Sequence, residues 1–447
     1  MNNNFINKSK FLLLQFLREP WGFSFFPSSF FWSNDILADD ITSTYKSYFN
    51  SEYVNIDDSN NKLNLYIHIP FCTKICSYCN CFKRLLKQSE EIDKYLNYLD
   101  KESKLIFELN NSNKIRLNSI FIWWWTPNLL SISQFEKLNN TITNYFDLSI
   151  LEQFLVDGHP NHYSKEKIDY LKQIWVNRVT LAVQTFDENT LKQNNRDVYN
   201  KIDFEFNINY LSNKWIKSNI DLLIWLKWQT FESIKADIDY LNSIKIDNVS
   251  VHYLMKSNNI NYYLDGNYLV IVSKTKEYLK NNPLAHNSSN ITEDYYASKR
   301  NSTISIWASA ITNIYSEFIY SKPWINNYYN LLDNWKIPFY KWVNIWKKDE
   351  MIRYIYLNIL YWVNINTFNE LFWKDIFKMF IWEFKFLNSN KIIYIRNNII
   401  YSNKNDLETL IYFNIFFLEK FGNFSLNSYN SNELNKFFLE SWELIDK

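Results

Sequence analysis

Apolar positions along the chain switch between two periods. Dense runs rich in β-branched and aromatic residues read as strands over Leu63–Phe71, Ser119–Trp124, Glu152–Asp157, Arg178–Gln184, Asn219–Trp225, Asn248–Tyr253 and Thr303–Ala308. Between most of them, segments such as Glu91–Leu109, Ser164–Ile174 and Thr230–Ile244 place apolar residues at helical spacing. Strand–helix alternation of this kind predicts an α/β fold around a parallel sheet, open or curled into a barrel.

The pattern changes near Lys348. Met351–Trp362, Asn366–Phe380 and Asp406–Phe421 read as helices, and Lys391–Ser402 as a hairpin centred on Asn397–Asn398. The expected organisation is an N-terminal segment (1–60) that is aromatic and polar, a core (61–345) and a small helical domain with a β-ribbon (346–447). No repeat of 20–50 residues is evident. No run approaches the ~20 apolar residues that span a bilayer. Phe11–Leu17 follows Lys8 and Lys10 as a signal peptide would, but it contains Gln15, meets Arg18 and Glu19 at once and lacks a small-residue cleavage site. A cytoplasmic location is expected. Lys and Arg total 48 against 47 Asp and Glu, and the basic residues are scattered, so charge gives no support for a nucleic-acid partner.

One feature of the composition is abnormal. The chain has 4 glycines and 18 tryptophans, whereas ordinary usage puts glycine near 7%. A fold of this size needs glycine wherever the backbone turns with positive φ or approaches a ligand closely. The other favoured residues have AT-rich codons, which the usual tryptophan codon does not match. The composition is therefore read as that of a gene from a lineage that decodes UGA as glycine, translated with a table that decodes it as tryptophan. The alternative is a truly tryptophan-rich protein.

All four cysteines lie between 72 and 81. With none elsewhere to bridge distant segments, they point to a metal site in a reducing compartment rather than to a disulfide framework. Cys72, Cys76 and Cys79 form C-x3-C-x2-C on a loop leaving a strand. Three such thiolates can hold three corners of a cubane 4Fe–4S cluster, leaving one iron free to take a small molecule's amine and carboxylate. Four nearby cysteines can also bind zinc, although zinc sites usually separate two C-x2-C pairs by a dozen or more residues.

The segment Tyr66-Ile-His-Ile-Pro-Phe-Cys72, continuing through Cys76, Tyr78-Cys79 and Cys81, resembles the signature of radical SAM oxygen-independent coproporphyrinogen III oxidases. The resemblance runs through most of 61–345 and more weakly beyond. It sharpens the expected fold to a partial (β/α)6-type parallel barrel with a winged-helix-like C-terminal domain. That family's Gly-Gly-Gly-Thr-Pro loop stands here as Trp123-Trp124-Trp125-Thr126-Pro127, and other family glycines fall on Trp175, Trp225 and Trp307. Trp215, Trp335 and Trp342 also occupy positions where glycine is expected. Three indoles in the 123–125 loop would fill the space of the S-adenosylmethionine (SAM) amino-acid moiety.

The resemblance implies that Cys72, Cys76 and Cys79 ligate the cluster and that Cys81 does not. It implies SAM contacts from Tyr66, Tyr78, Trp124, Trp125, Thr126, Asp157, Gln184, Arg196, Asp221, Met255 and Ile311. Asp157 stands where the family usually has Glu, and Lys227 where it has Pro. Phe23-Ser-Phe-Phe-Pro27 matches the family's N-terminal Tyr-Thr-Ser-Tyr-Pro only loosely. His68 is read as structural or functional alike, and His159 with His162 as a weak metal pair. The implied activity is oxidative decarboxylation of coproporphyrinogen III propionates to vinyls through a 5′-deoxyadenosyl radical. The implied partners are a tetrapyrrole substrate and a reductant such as flavodoxin or ferredoxin, with the chain a monomer. Two readings stay open beside it: a heme-binding chaperone on the same fold, whose branch commonly has an aromatic residue at the position of Cys81, and a radical SAM enzyme of another substrate.

Overall fold

The computed structural model describes residues 38–50, 62–79, 82–254, 266–280, 282, 301–308, 311–314, 317–320, 324–339, 341–344, 347–359 and 362–402. Two compact units emerge, one within Trp32–Leu254 and Asn267–Asn344 and the other within Ile345–Lys447. The expected helix Asp406–Phe421, Met255 and Cys81 lie outside the described residues.

In the larger unit the predicted alternation takes shape as β1 (Leu63–Ile69), β2 (Ser119–Trp125), β3 (Gln153–Gly158), β4 (Arg178–Gln184), β5 (Lys217–Ile224) and β6 (Asn248–Tyr253). These six lie side by side in chain order, all parallel. β7 (Ser302–Ile306) adds to the other edge of β1, also parallel, and β8 (Ile311–Ile314), β9 (Glu317–Tyr320) and β10 (Lys341–Asn344) follow antiparallel. β1 is buried at every position, the signature of a sheet covered on both faces.

An N-terminal helix, α1 (Ala38–Asn50), sends Ile41, Tyr45, Tyr48 and Phe49 into the core. That part of the N-terminal segment therefore belongs to the sheet unit, which its polar composition did not reveal. Between the strands run α2 (Glu90–Leu109), α3 (Ile132–Tyr145), α4 (Lys165–Gln173), α5 (Glu188–Gln193), α6 (Lys201–Asn213), α7 (Phe231–Ser243) and α8 (Gly266–Lys280). Their starts are locally encoded. Ser131, Ser164, Asp187, Asn200 and Thr230 each cap a helix by accepting a backbone N–H.

Helix ends tell a different story. After α4, Val176 N–H reaches Leu171 O at 3.0 Å around Trp175, and after α6, Ile216 N–H reaches Leu211 O at 3.0 Å around Trp215. The same closure surrounds Trp335 after α9 (Ile325–Asp333), where Lys336 N–H meets Leu331 O at 3.0 Å. Such closures demand a left-handed residue, most often glycine. Trp175, Trp215 and Trp335 have φ of 71°, 59° and 52°; Trp225, Trp228 and Trp373 are left-handed as well. A side chain in that region costs roughly 1–2 kcal/mol, so these positions are shaped for glycine.

The smaller unit is helical with a ribbon. α10 (Lys347–Asn358), α11 (Ile365–Phe372), α12 (Ile376–Met379) and α13 (Ile381–Ser389) precede β11 (Ile393–Arg396) and β12 (Ile399–Ser402). The hairpin turns on Asn397 and Asn398, both with positive φ, as a two-residue primed turn requires. The single helix expected over 366–380 is broken. Trp373 adopts the left-handed conformation and Asp375 restarts the next turn by accepting the N–H groups of Phe377 and Lys378.

Candidate functional site at the C-terminal ends of the strands

β1 ends at Ile69 and the chain enters the cysteine loop. Cys72 is buried, Cys76 and Cys79 are half-buried, and none of the three is in a disulfide. The loop is clamped from about 120 residues away. Ser77 N–H donates to Asn194 O (3.0 Å), Asn195 Nδ2 to Ile75 O (2.8 Å), and Lys74 pairs with Asp197 (3.2 Å). Between these clamps Arg196 turns inward, with Nη1 3.5 Å from Cys76 Sγ and Nη2 on Ala182 O. Burial works against its charge, but Tyr78 and Cys76 beside it prevail and hold the guanidinium protonated.

Thr126 Oγ1 lies 3.4 Å from Cys72 Sγ. Burial pushes the Cys72 thiol up to about 11, against a lowering pull from Thr126 and Arg196. Tyr78 is half-buried in the same cluster, its hydroxyl beside Cys76, and burial raises its pKa. Asp157, at the end of β3, is close enough to act electrostatically on Cys72 and accepts the Gly158 N–H at 2.7 Å. A Cβ on Gly158 would meet the Asn128 side chain at 2.2 Å. That space is needed because Asn128 clamps His159 through both its N–H (3.0 Å) and its carbonyl (2.9 Å).

Gln184 ends β4 with φ of 71°, beside a register shift between Leu181 and Gln184. Asp221 lies on β5, accepting from Asn219 Nδ2 at 2.8 Å with His252 Nε2 3.6 Å away. Ile311 opens β8 and pairs with Tyr320. Tyr66 lies within β1, its hydroxyl 3.1 Å from His68 Nδ1. Because His68 Nε2 faces the Phe82 carbonyl at 3.2 Å, Nε2 carries the proton and Nδ1 accepts. Burial holds this imidazole down at about 3, so the ring is neutral at ordinary pH. Trp124 and Trp125 close β2, and the β1–β2 register shifts between His68 and Ile69 where they pair. The His159 and His162 rings lie 5.6 Å apart.

Cys72, Cys76, Cys79, Tyr78, Thr126, Asp157 and Arg196 thus share one neighbourhood at the strand ends, where parallel α/β folds carry their sites. Among the described residues no three His, Cys, Asp or Glu side chains converge as around a single ion. A cubane asks instead for three thiols on separate corners. A half-buried cation against one sulfur suits a cluster with three anionic ligands, so the donor set fits. Sequence reasoning missed the buttresses behind the strand ends. Asp237 accepts from Thr185 Oγ1 (2.6 Å) and Phe186 N–H (2.9 Å), and Gln229 brackets Leu226 N–H (3.0 Å) and Leu223 O (3.1 Å). Asp237 belongs to no motif and is marked only by burial.

Residues 66–241 match the Radical SAM superfamily, so the chain carries a radical SAM domain, of the class that works with a 4Fe–4S cluster and SAM. It is 34% identical over 191 residues to the heme chaperone HemW of Lactococcus lactis, covering 42% of this chain and 48% of that one. To the oxygen-independent coproporphyrinogen III oxidase of Synechocystis it is 27% identical over 178 residues, covering 40% of this chain and 34% of that one. The chain thus matches about half the length, or less, of these curated relatives. The coproporphyrinogen III oxidase HemN of Escherichia coli, a radical SAM enzyme, shares the fold. The TM-score is 0.71 with 17% identity over 88% of this chain and 96% of that one. The α/β parallel-sheet fold is the expected one. No described helix is long and apolar enough to cross a membrane.

Proposed function

We propose that the larger unit holds a 4Fe–4S cluster on Cys72, Cys76 and Cys79 and binds SAM beside it to run oxidative decarboxylation of coproporphyrinogen III. The single observation that carries this reading is the half-buried Arg196 guanidinium against Cys76, in a loop whose other two cysteines, Cys72 and Cys79, are in no disulfide. When bound, the cluster supplies the electron that splits the SAM sulfonium, the source of a carbon radical that takes a hydrogen atom from a propionate.

The chain's own residues hold and shield. Arg196 offsets the charge of the thiolates. Thr126 and the backbone at 124 and 125 approach the SAM amino-acid group, with Asp157 on its ammonium. Gln184, Asp221, Ile311, Met255, Tyr66 and Tyr78 complete the contacts. The approach requires side-chain-free residues at 123–125, so glycine at these positions is part of the proposal. Cys81 supports the decarboxylase branch as its additional, non-ligating cysteine. The electron donor is a flavodoxin or ferredoxin, the location cytoplasmic and the chain a monomer.

A second reading, a heme chaperone, is favoured by the name of the relative at 34% identity. Anaerobic reconstitution of the polypeptide with glycine at 123–125, followed by assays of iron and sulfide, SAM cleavage, porphyrinogen turnover and heme titration, separates the two. Cluster uptake with turnover supports the decarboxylase, and heme binding without turnover the chaperone. Uptake of zinc without iron or sulfide defeats both.

A further inference from the structure

In the turn that follows β7, α2 supplies side-chain partners to the first amides. Glu102 accepts the Trp307 N–H and the Tyr328 hydroxyl, the latter at 2.6 Å. Seven residues earlier on the same helical face, Tyr95 takes the Ala308 N–H and donates to His68 O at 3.0 Å. Glu102, Tyr95 and Tyr328 are all buried, with Glu102 only 2% exposed.

A lone carboxyl in such a place is expensive, and burial pushes it up to about 8. A scaffold alone would be served as well by an apolar side chain, unless the amides it meets must be held in one geometry. The two strand ends joined by this network are those of β1, which leads into the cysteine loop, and β7, which leads towards Ile311. Their registers run together from Leu63–Ser302 to Ile67–Ile306. Beyond that ladder, the tyrosines and Glu102 continue the connection with side chains.

We infer that Glu102, with Tyr95 and Tyr328, is a positioning residue that fixes the 307–308 turn and thereby sets the affinity for SAM. It touches neither SAM nor the cluster. The SAM half of this inference rests on the proposed function, through Ile311; the positioning half does not.

Hydrogen exchange on the cluster-free chain tests positioning directly. E102A is expected to speed exchange at the 307 and 308 amides at least tenfold while the amides of β3 and β4 keep their protection. E102Q, which keeps one acceptor, and Y328F, which leaves the carboxyl in place, should give smaller increases at 307. Uniform acceleration across the sheet, or none at 307–308, overturns the inference.

In the reconstituted parent carrying W123G, W124G and W125G, E102A should weaken SAM binding about tenfold at unchanged iron content. A lower melting temperature with unchanged SAM affinity assigns Glu102 to the scaffold and also overturns it. If the parent takes up no iron or binds no SAM, the proposed function fails instead, and exchange at 307–308 still decides the positioning role.

Discussion

Tryptophans at helix ends and tryptophans at strand ends meet opposite surroundings. Trp175 and Trp215, just past α4 and α6, are 78% and 85% exposed. Their indoles lie in solvent, and the penalty is confined to a left-handed backbone. At the strand ends, Trp307 is 2% exposed, its ring stacked 3.8 Å from that of His68 and its Nε1 without a partner. Trp123 is also buried and stacks on Phe121. The same residue type therefore taxes stability at one end of the unit and fills working space at the other. If glycine is the native residue throughout, removing the indole relieves strain in the first case and opens a site in the second.

The comparison can be broken most severely at the cysteines. C72A, C76A or C79A should each abolish iron retention after anaerobic reconstitution, read by iron and sulfide content. A variant that keeps its cluster would move the site away from the strand ends. The next effect concerns the filled loop. W123G, W124G and W125G together should tighten SAM binding at least ~100-fold, about 2.7 kcal/mol, measured by equilibrium dialysis on the reconstituted protein. Equal affinity with and without the indoles would erase the distinction between the two ends.

A pH effect should be confined to the strand ends. Folded His68 is held down to about 3 against 6.5 when free, so between these values the unfolded chain binds a proton that the folded chain refuses. Its contribution is complete above about pH 6.5 and declines by about 1.4 kcal/mol per unit as pH falls towards 3. Glu102 acts in the opposite sense. Its folded value of about 8 against 4.5 makes its contribution full below 4.5 and lost as pH rises through 8. Urea unfolding from pH 4 to pH 9 should show H68Q flattening the acid limb and E102Q the alkaline one. The smallest effect belongs to the helix ends: W175G and W215G should each raise stability by about 1 kcal/mol, read as a higher urea midpoint with unchanged m-value.

The strands were legible because a strand buried on both faces is written as an uninterrupted apolar run, as in Ile120–Ile122 and Leu181–Val183. Helix starts were legible too, because Ser164 and Thr230 act on N–H groups three residues away. The break at Trp373 escaped notice. A left-handed cap is announced by glycine or asparagine, and tryptophan announces nothing. The inward face of α1 was hidden for a related reason, since the helix is short and its tyrosines read as polar or apolar according to what they meet.

Of the site, the three cysteines stood out by spacing and Arg196 by resemblance. The clamps that aim them did not, because Asn194, Asn195 and Asp197 act on a loop some 120 residues earlier. Local order, strand and helix periodicity and the thiol triad belong to the sequence by itself, being relations among neighbours along one chain. Which face of each strand end meets the thiols, that Arg196 turns onto Cys76, and that Glu102 reaches the amide of residue 307 were decided only by the fold. Those relations join residues whose separation in the chain carries no periodic signal, and only the packed sheet makes them neighbours.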